Sequence, residues 1–273
     1  MSYQSYQESR KNILTDDLDR IAEELDIRGY AIVEQVLPAT TVTELSQHLD
    51  AVWQQQCTET DPTVLRDSGE WGVCRALLAY EMSFAQLVRH PLTMSLLNRT
   101  IGETAILHLI NGIIAFPRQA SNQLVFHRDF AKPFTSDQLL SLNTFWLLDD
   151  FTSETGATWF VPHSHHLSYT PSDAYLQKYA ERILAPRGSV VVFDSRVYHR
   201  GAENHSPTPR RALNLQYTRP FIKQQINLAA LMADHIDPES PLAQTLGLWS
   251  VPPPSVKRFR VPPTQRTYRQ GQG

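Results

Sequence analysis

The stretch SVVVFDSRVYHRGAENHSPTPRRALNLQYT, Ser189 to Thr218, joins two β-type runs through a polar segment rich in turn residues. Ser189 to Phe193 is a short apolar run of β-branched and aromatic residues bounded by polar positions, which is how a buried strand reads. Ala212 to Thr218 alternates, so Arg210, Ala212, Asn214 and Gln216 fall on one face and Arg211, Leu213, Leu215 and Tyr217 on the other. Similar short runs lie upstream at Ile106 to Phe116, Leu124 to Phe130, Leu142 to Leu148 and Ala157 to Val161. Many short strands with a single helical candidate among them, near Asp173 to Arg182, point to an antiparallel sandwich or jelly roll with helices packed outside it.

Working outward, the first third reads as helical. Leu18, Ile21, Ala22 and Leu25 recur at helical spacing behind the acidic start Asp16-Asp17, and Gly29 ends the pattern. Tyr30 to Val33, with Val36 and Leu37, reads as a short strand ending at Pro38. Thr41 and Glu44 fit a capping box ahead of the stripe Val42, Leu45, Leu49, Val52 and Trp53. Cys57 to Trp71 reads as an exposed loop, and Ala76 to Leu97 as helix interrupted before Pro91. The tail beyond Leu248, rich in Pro and Arg, reads as extended wrapping followed by a loose end. The expected organisation is one domain over residues 1–273, with a mainly helical part to about 102, a β core over about 103–222 and a C-terminal wrapping segment.

Composition narrows the function classes. The chain has 273 residues, 25 Lys+Arg against 28 Asp+Glu and a formal net charge of −3, with no block of like charges to attract nucleic acid or an anionic membrane. No apolar run approaches the length of a membrane span, the N-terminus lacks the pattern of a secretory signal, and only Cys57 and Cys74 are present. These features lead us to expect a soluble, cytoplasmic protein with free thiols, acting on a small molecule rather than on nucleic acid or membrane.

The residues that carry chemistry sit on the β runs. On a strand, His127 and Asp129 of Phe126-His127-Arg128-Asp129-Phe130 would share a face, and His199 follows the apolar run Ser189 to Phe193. Two imidazoles and one carboxylate on one face of an octahedron form the ligand set of non-haem Fe(II) oxygenases, leaving three positions open. Arg210, eleven residues after His199, places a fixed cation near that set and could hold the distal carboxylate of a 2-oxo dicarboxylic acid in a two-pronged pair. Arg211 competes, because alternation lets only one of the two arginines point inward. His163, His165 and His166 crowd together without a carboxylate at strand spacing, so a structural or solvent-facing role is expected; His205, in a polar turn, receives no role. Phe126, Phe130, Phe145, Trp146 and Trp159 are cavity candidates that could equally fill the core, and Arg128 and Lys132 could bind an acidic substrate group, although charged residues beside such a strand more often point to solvent.

The chain resembles the phytanoyl-CoA dioxygenase-like family of Fe(II)- and 2-oxoglutarate-dependent oxygenases. The resemblance spans about residues 15–260 and rests on Gly29 to Val33, the His127-Arg128-Asp129 pair, Trp146 to Asp150, Gly156-Ala157-Thr158, Val161 to His165, and Gly188 through Arg210 to Pro220. It implies a double-stranded β-helix, with His127, Asp129 and His199 as iron ligands and Arg210 as anchor for the far carboxylate of 2-oxoglutarate. Asn143 matches a position where the family often places a side chain touching that cosubstrate. The resemblance further implies that 2-oxoglutarate and dioxygen are consumed to give succinate and carbon dioxide while an unactivated C–H bond of a small organic substrate, such as a biosynthetic intermediate or secondary metabolite, is oxidised. Hydroxylation is the default outcome, and the filled Asp129 position disfavours halogenation. Two departures occur: Pro162-His163-Ser164-His165 where the family usually has Pro-Gly-Ser-His, and Gly188-Ser189 where it usually has Gly-Asp. Competing expectations are a jelly-roll module that binds metal or ligand without turnover, and a zinc hydrolase using the same three ligands.

Overall fold

A computed structural model describes residues 16–119, 122–130, 135–266 and 268–272. The core is a six-stranded sheet in the order β1-β7-β4-β9-β3-β2, built from Tyr30–Val33 (β1), Val73–Cys74 (β2), Ile106–Ala115 (β3), Ser141–Leu147 (β4), Val190–Asp194 (β7) and Arg210–Thr218 (β9). A smaller sheet, β6-β5-β8, joins Glu181–Arg182 (β6), Trp159–Phe160 (β5) and His199–Arg200 (β8). Every pairing between these strands is antiparallel, and the two sheets form the expected jelly roll.

Strand alternation decides which residues meet. One face of the large sheet offers Leu142, Trp146, Val190, Val192, Leu213, Leu215 and Tyr217 to the helices. Those helices include Asp17–Arg28 (α1), Ala39–Glu59 (α2) and Pro91–Thr100 (α5), which contribute Ile21, Leu25, Leu45, Leu49, Leu96 and Leu97. The other face carries Phe145, Leu147, Val191, Phe193 and Ala212, which pack with Phe160 of the small sheet. Both faces of β4 and β7 are therefore covered, which is why these strands read as near-continuous apolar runs. β1 and β2, both from the first 102 residues, form the two edges of the large sheet.

Several local expectations change. α2 begins at Ala39 behind Pro38, which offers no side-chain cap, so Thr41 and Glu44 lie inside the helix and form no capping box. The presumed loop after Cys57 holds the end of α2 and a short helix, Pro62–Asp67 (α3), capped by Asp61. Its signal was present, since Asp at the cap followed by Pro at the first helical position is a helix start. Ala76 to Leu97 is a series of helical turns, with the short helix Ala85–Val88 (α4) ahead of α5. Leu124 to Phe130 is no strand: a 3-10 turn covers Asn122–Leu124, and His127 makes one isolated bridge to His199. The helix after Ser172 stops at Tyr179 (α6). In the tail, Arg269 stacks over the Trp249 ring at 3.8 Å and donates its backbone N–H to the Trp249 carbonyl, so this segment is tied down. Among the described residues no helix is long and apolar enough to cross a membrane.

Candidate active site

The two histidines are placed by the sheet backbone. His127 and His199 exchange both N–H···O bonds, at 2.9 and 3.0 Å, which sets their rings side by side with centroids 4.4 Å apart. Each ring is then locked by its own chain: Nδ1 of His127 lies 2.8 Å from the Val125 carbonyl, and Nδ1 of His199 lies 3.0 Å from the Val197 carbonyl. A carbonyl only accepts, so each Nδ1 carries the proton and each Nε2 keeps its lone pair in the neutral ring. Burial, together with the neighbouring His127 ring, pushes the His199 pKa down against the opposing pull of Asp129, keeping this imidazole neutral. Phe160 stacks on the His199 ring and Phe193 meets it edge-on.

Asp129 completes the cluster from the turn beyond His127. Its backbone N–H donates to the Ser195 carbonyl at 3.0 Å, which anchors the turn to the end of β7. Oδ1 of Asp129 then stands 3.9 Å from Nε2 of His127 and 3.7 Å from Nε2 of His199. These gaps exceed hydrogen-bonding distance, so no proton bridges the groups. One potential ligand atom from each of the three residues lies within 4.8 Å of the others. Two lone-pair nitrogens and one carboxylate oxygen, held on one side of a cavity, fit a six-coordinate Fe(II) with open positions. The shared face expected from a strand arises instead from the single bridge at His127 and the turn after it.

Arg210 closes the far side of the cavity. It is the first residue of β9, paired with Ala115, and is 3 % exposed. Its Nε and Nη1 are buried without a hydrogen-bond partner, and the guanidinium lies over the Phe151 ring at 4.3 Å. Burial pushes its pKa down to about 10, so it stays charged at neutral pH. Asp149 acts on it only at a distance, and buried guanidinium nitrogens without hydrogen-bond partners are costly, so the cavity in front of them suits a carboxylate. Arg211 faces the other way: Nε and Nη2 grip both oxygens of Asp50 at 2.7 and 2.8 Å, and Nη1 reaches Asp149. Those hydrogen bonds, Asp50 first, raise its pKa. Of the two arginines, Arg210 is the one facing the cavity shared with His127, Asp129 and His199.

Other expected residues separate. Phe145 lines the cavity, whereas Trp146 sits in the helix-packed core and Trp159 stacks against Arg182 at 4.4 Å. Asn143 does not reach the cavity wall; it is wholly buried behind Asp129, donating to Oδ2 at 2.7 Å. Phe160, Phe193, Thr158 and Asn214 line the cavity and were not singled out from the sequence as its walls. Alternation from Arg210 reaches Asn214, but the pairing of β5 with β8 that brings in Phe160 leaves no trace in spacing. Arg128 does not face solvent: it is buried over the Tyr198 ring at 4.3 Å and donates to the carbonyls of Ser164 and Leu167 at 2.6 and 2.8 Å. Lys132 lies outside the described residues.

The histidine cluster has a structural place. His163 adopts the left-handed conformation, φ 64°, which Gly would enter without cost. The backbone N–H of His163 donates to the Arg28 carbonyl at 3.0 Å, and its Nδ1 meets the Ile27 carbonyl at 2.6 Å. His165 and His166 both approach the Asp26 carbonyl at 3.1 Å. The three rings thus satisfy carbonyls at the C-terminus of α1. Burial pushes the Cys74 thiol up to about 12, so it is unreactive at neutral pH.

Comparison with known proteins places the chain in a family. The family model for phytanoyl-CoA dioxygenase (PhyH) matches residues 25–212. An uncharacterised Mycobacterium tuberculosis protein is 36 % identical over 263 residues, covering 94 % of this chain and 96 % of the relative. Ectoine dioxygenase of Nocardia farcinica is 24 % identical over 223 residues, covering 70 % of this chain and 74 % of that enzyme. Among solved structures, HygX of Streptomyces hygroscopicus, crystallised with nickel, 2-oxoglutarate and hygromycin B, shares the fold with a TM-score of 0.60 at 14 % identity, covering 75 % of this chain and 88 % of HygX. The chain belongs to the phytanoyl-CoA dioxygenase family and is an iron(II)- and 2-oxoglutarate-dependent dioxygenase.

Proposed function

We propose that this dioxygenase hydroxylates an unactivated C–H bond of a small organic molecule, a biosynthetic intermediate or secondary metabolite, releasing succinate and carbon dioxide. In this reading His127, Asp129 and His199 hold the iron, and Arg210 receives the far carboxylate of 2-oxoglutarate. The observation that carries it is the pairing, across one cavity, of three converging ligand atoms with a buried guanidinium that lacks hydrogen-bond partners on two of its nitrogens. Iron bound there would supply dioxygen activation coupled to decarboxylation of the oxo acid. The chain's own residues do the rest. In their neutral form the rings of His127 and His199 present an Nε2 lone pair to the cavity, because their Nδ1 protons are held by backbone carbonyls. Phe145, Phe160 and Phe193 wall the cavity with apolar surface that excludes water and gives a carbon chain or ring somewhere to rest.

The test is a pair of variants. Arg210→Ala should raise the KM for 2-oxoglutarate by about tenfold or more, as expected when a charge-assisted pair is lost. Arg211→Ala should leave that KM near its original value. The opposite ranking would show that the anchor has been misassigned.

A further inference from the structure

Behind Asp129 lies a chain of buried polar side chains that the ligand assignment does not use. Asn143 and Ser195 are 0 % exposed, and Ser141 and Gln216 are 1 % exposed. Their hydrogen bonds run in one direction. The Asp129 carboxylate only accepts, so the amide nitrogen of Asn143 must face it, and Nδ2 donates to Oδ2 at 2.7 Å. The second Nδ2 proton goes to Oδ1 of Asn214 at 2.8 Å. Oδ1 of Asn143 can then only accept, and the Ser195 hydroxyl donates to it at 2.5 Å. Having given its one proton, Ser195 must accept from Ser141, 2.6 Å away, and Ser141 in turn accepts from Nε2 of Gln216 at 2.9 Å. Gln216, Ser141, Ser195 and Asn143 thus form a relay of fixed donors ending on one oxygen of one carboxylate.

We infer that Asn143 is a positioning residue for Asp129, and that the relay behind it fixes the amide so that Oδ2 is occupied and Oδ1 alone is presented to the metal. The inference rests on the reading of His127, Asp129 and His199 as iron ligands. The geometry fits it, because Oδ1 is the oxygen that faces Nε2 of both histidines, while Oδ2 is turned to the amide. A carboxylate free to ligate through both oxygens would take a position that cosubstrate or dioxygen needs. Ser195 holds Asp129 twice, through its carbonyl to the Asp129 N–H and through its hydroxyl by way of Asn143. Both amide protons of Asn143 and its oxygen are engaged, so Asn143 has no donor left for 2-oxoglutarate. Asn214, which accepts from Asn143, and Gln123 are the amides that line the cavity among the described residues. A buried polar chain of this kind is favourable only when every member is satisfied, so a break anywhere along it reaches the carboxylate.

The experiment is anaerobic calorimetric titration of the metal-free protein with Fe(II), followed by titration of 2-oxoglutarate at saturating Fe(II), on wild type, Asn143→Ala and Ser195→Ala. Asn143→Ala should bind Fe(II) about 10- to 100-fold more weakly, the range seen when groups that orient a metal ligand are removed. Its 2-oxoglutarate affinity at saturating iron should stay within about twofold of wild type, because the amide does not touch the cosubstrate. Ser195→Ala should show a smaller loss in the same direction, since the Asn143 amide becomes free to turn, and it decides the matter if Asn143→Ala does not fold. Wild-type Fe(II) affinity in the variants, with only the unfolding midpoint lowered, would reduce the relay to a structural role and overturn the inference. Unchanged Fe(II) affinity with weakened 2-oxoglutarate binding would overturn it in favour of a cosubstrate contact. Failure of the wild type itself to bind Fe(II) would instead remove the ligand reading on which the inference stands.

Discussion

At the scale of single residues, the site is defined by which polar groups are satisfied and which are not. Arg211 is satisfied by Asp50 and Asp149, so Arg211→Ala should lower stability by about 1 kcal/mol, the modest worth of a partly exposed ion-pair network, as read from a urea midpoint. Asp129→Ala removes the only carboxylate of the cluster and should abolish substrate oxidation; hydroxylation at the original rate would refute its place among the ligands. The candidate ligands were legible as residue types, but the placement of His127 beside Asp129 comes from an isolated bridge and a turn rather than a strand, and alternation said only that one of Arg210 and Arg211 points inward, not which. Asn143 was singled out only as a match to a family position whose side chain touches the cosubstrate. That its amide turns toward Asp129 depends on Ser195, Ser141 and Gln216, which the strand pairings bring together from three separate segments.

At the scale of elements, the turn between α1 and β1 ties the helical layer to the side of the sheets that carries Val197 and His165. Gly29 caps α1 in the left-handed region, φ 85°, and a Cβ there would meet the side chains of Val197 and His165 at 2.4 and 2.5 Å. Gly29→Ala should therefore cost about 2–4 kcal/mol, from backbone strain together with a forced shift in packed side chains, measurable as a lowered denaturant midpoint. An unchanged midpoint would mean that the turn relaxes freely. β7 was readable from a continuous apolar run, β9 from its alternation, and β3 and β4 from their apolar-rich runs. β5 lies inside the expected run Ala157 to Val161, whereas β8, two residues long, was not readable, since so short a pairing is fixed by its neighbours and not by its own sequence. Leu124 to Phe130 misled for the same reason: its apolar and aromatic residues suit a strand, yet the backbone pairs only at His127. The left-handed His163 shows a departure from the family pattern absorbed locally, with contacts to the end of α1 offsetting a conformation that Gly would adopt freely.

At the scale of the whole molecule, the core lies on both faces of the large sheet and includes none of the candidate ligands. Metal chelation should accordingly remove activity while leaving the far-ultraviolet circular dichroism and most of the stability in place; wholesale unfolding would instead mark a structural metal. Acid should destabilise the metal-free protein. Burial lowers the pKa of His90, His108 and His165 in the folded state. Below the ordinary histidine value of about 6.5 the unfolded chain therefore binds more protons than the native one, and stability rises with pH across that window. Urea midpoints should fall between pH 7.5 and pH 5.5, values of about one unit on either side of that ordinary histidine pKa, and a flat profile would contradict the assignment of these rings as buried and neutral.

The most direct test of the central claim is anaerobic titration of the metal-free protein with Fe(II) and 2-oxoglutarate, followed by visible spectroscopy for the charge-transfer band of the iron–oxo-acid chelate. The account predicts a band in wild type that needs both components, is lost in Asp129→Ala, and requires far more 2-oxoglutarate in Arg210→Ala. A band that saturates identically in wild type and Arg210→Ala, or persists unchanged without Asp129, would contradict it.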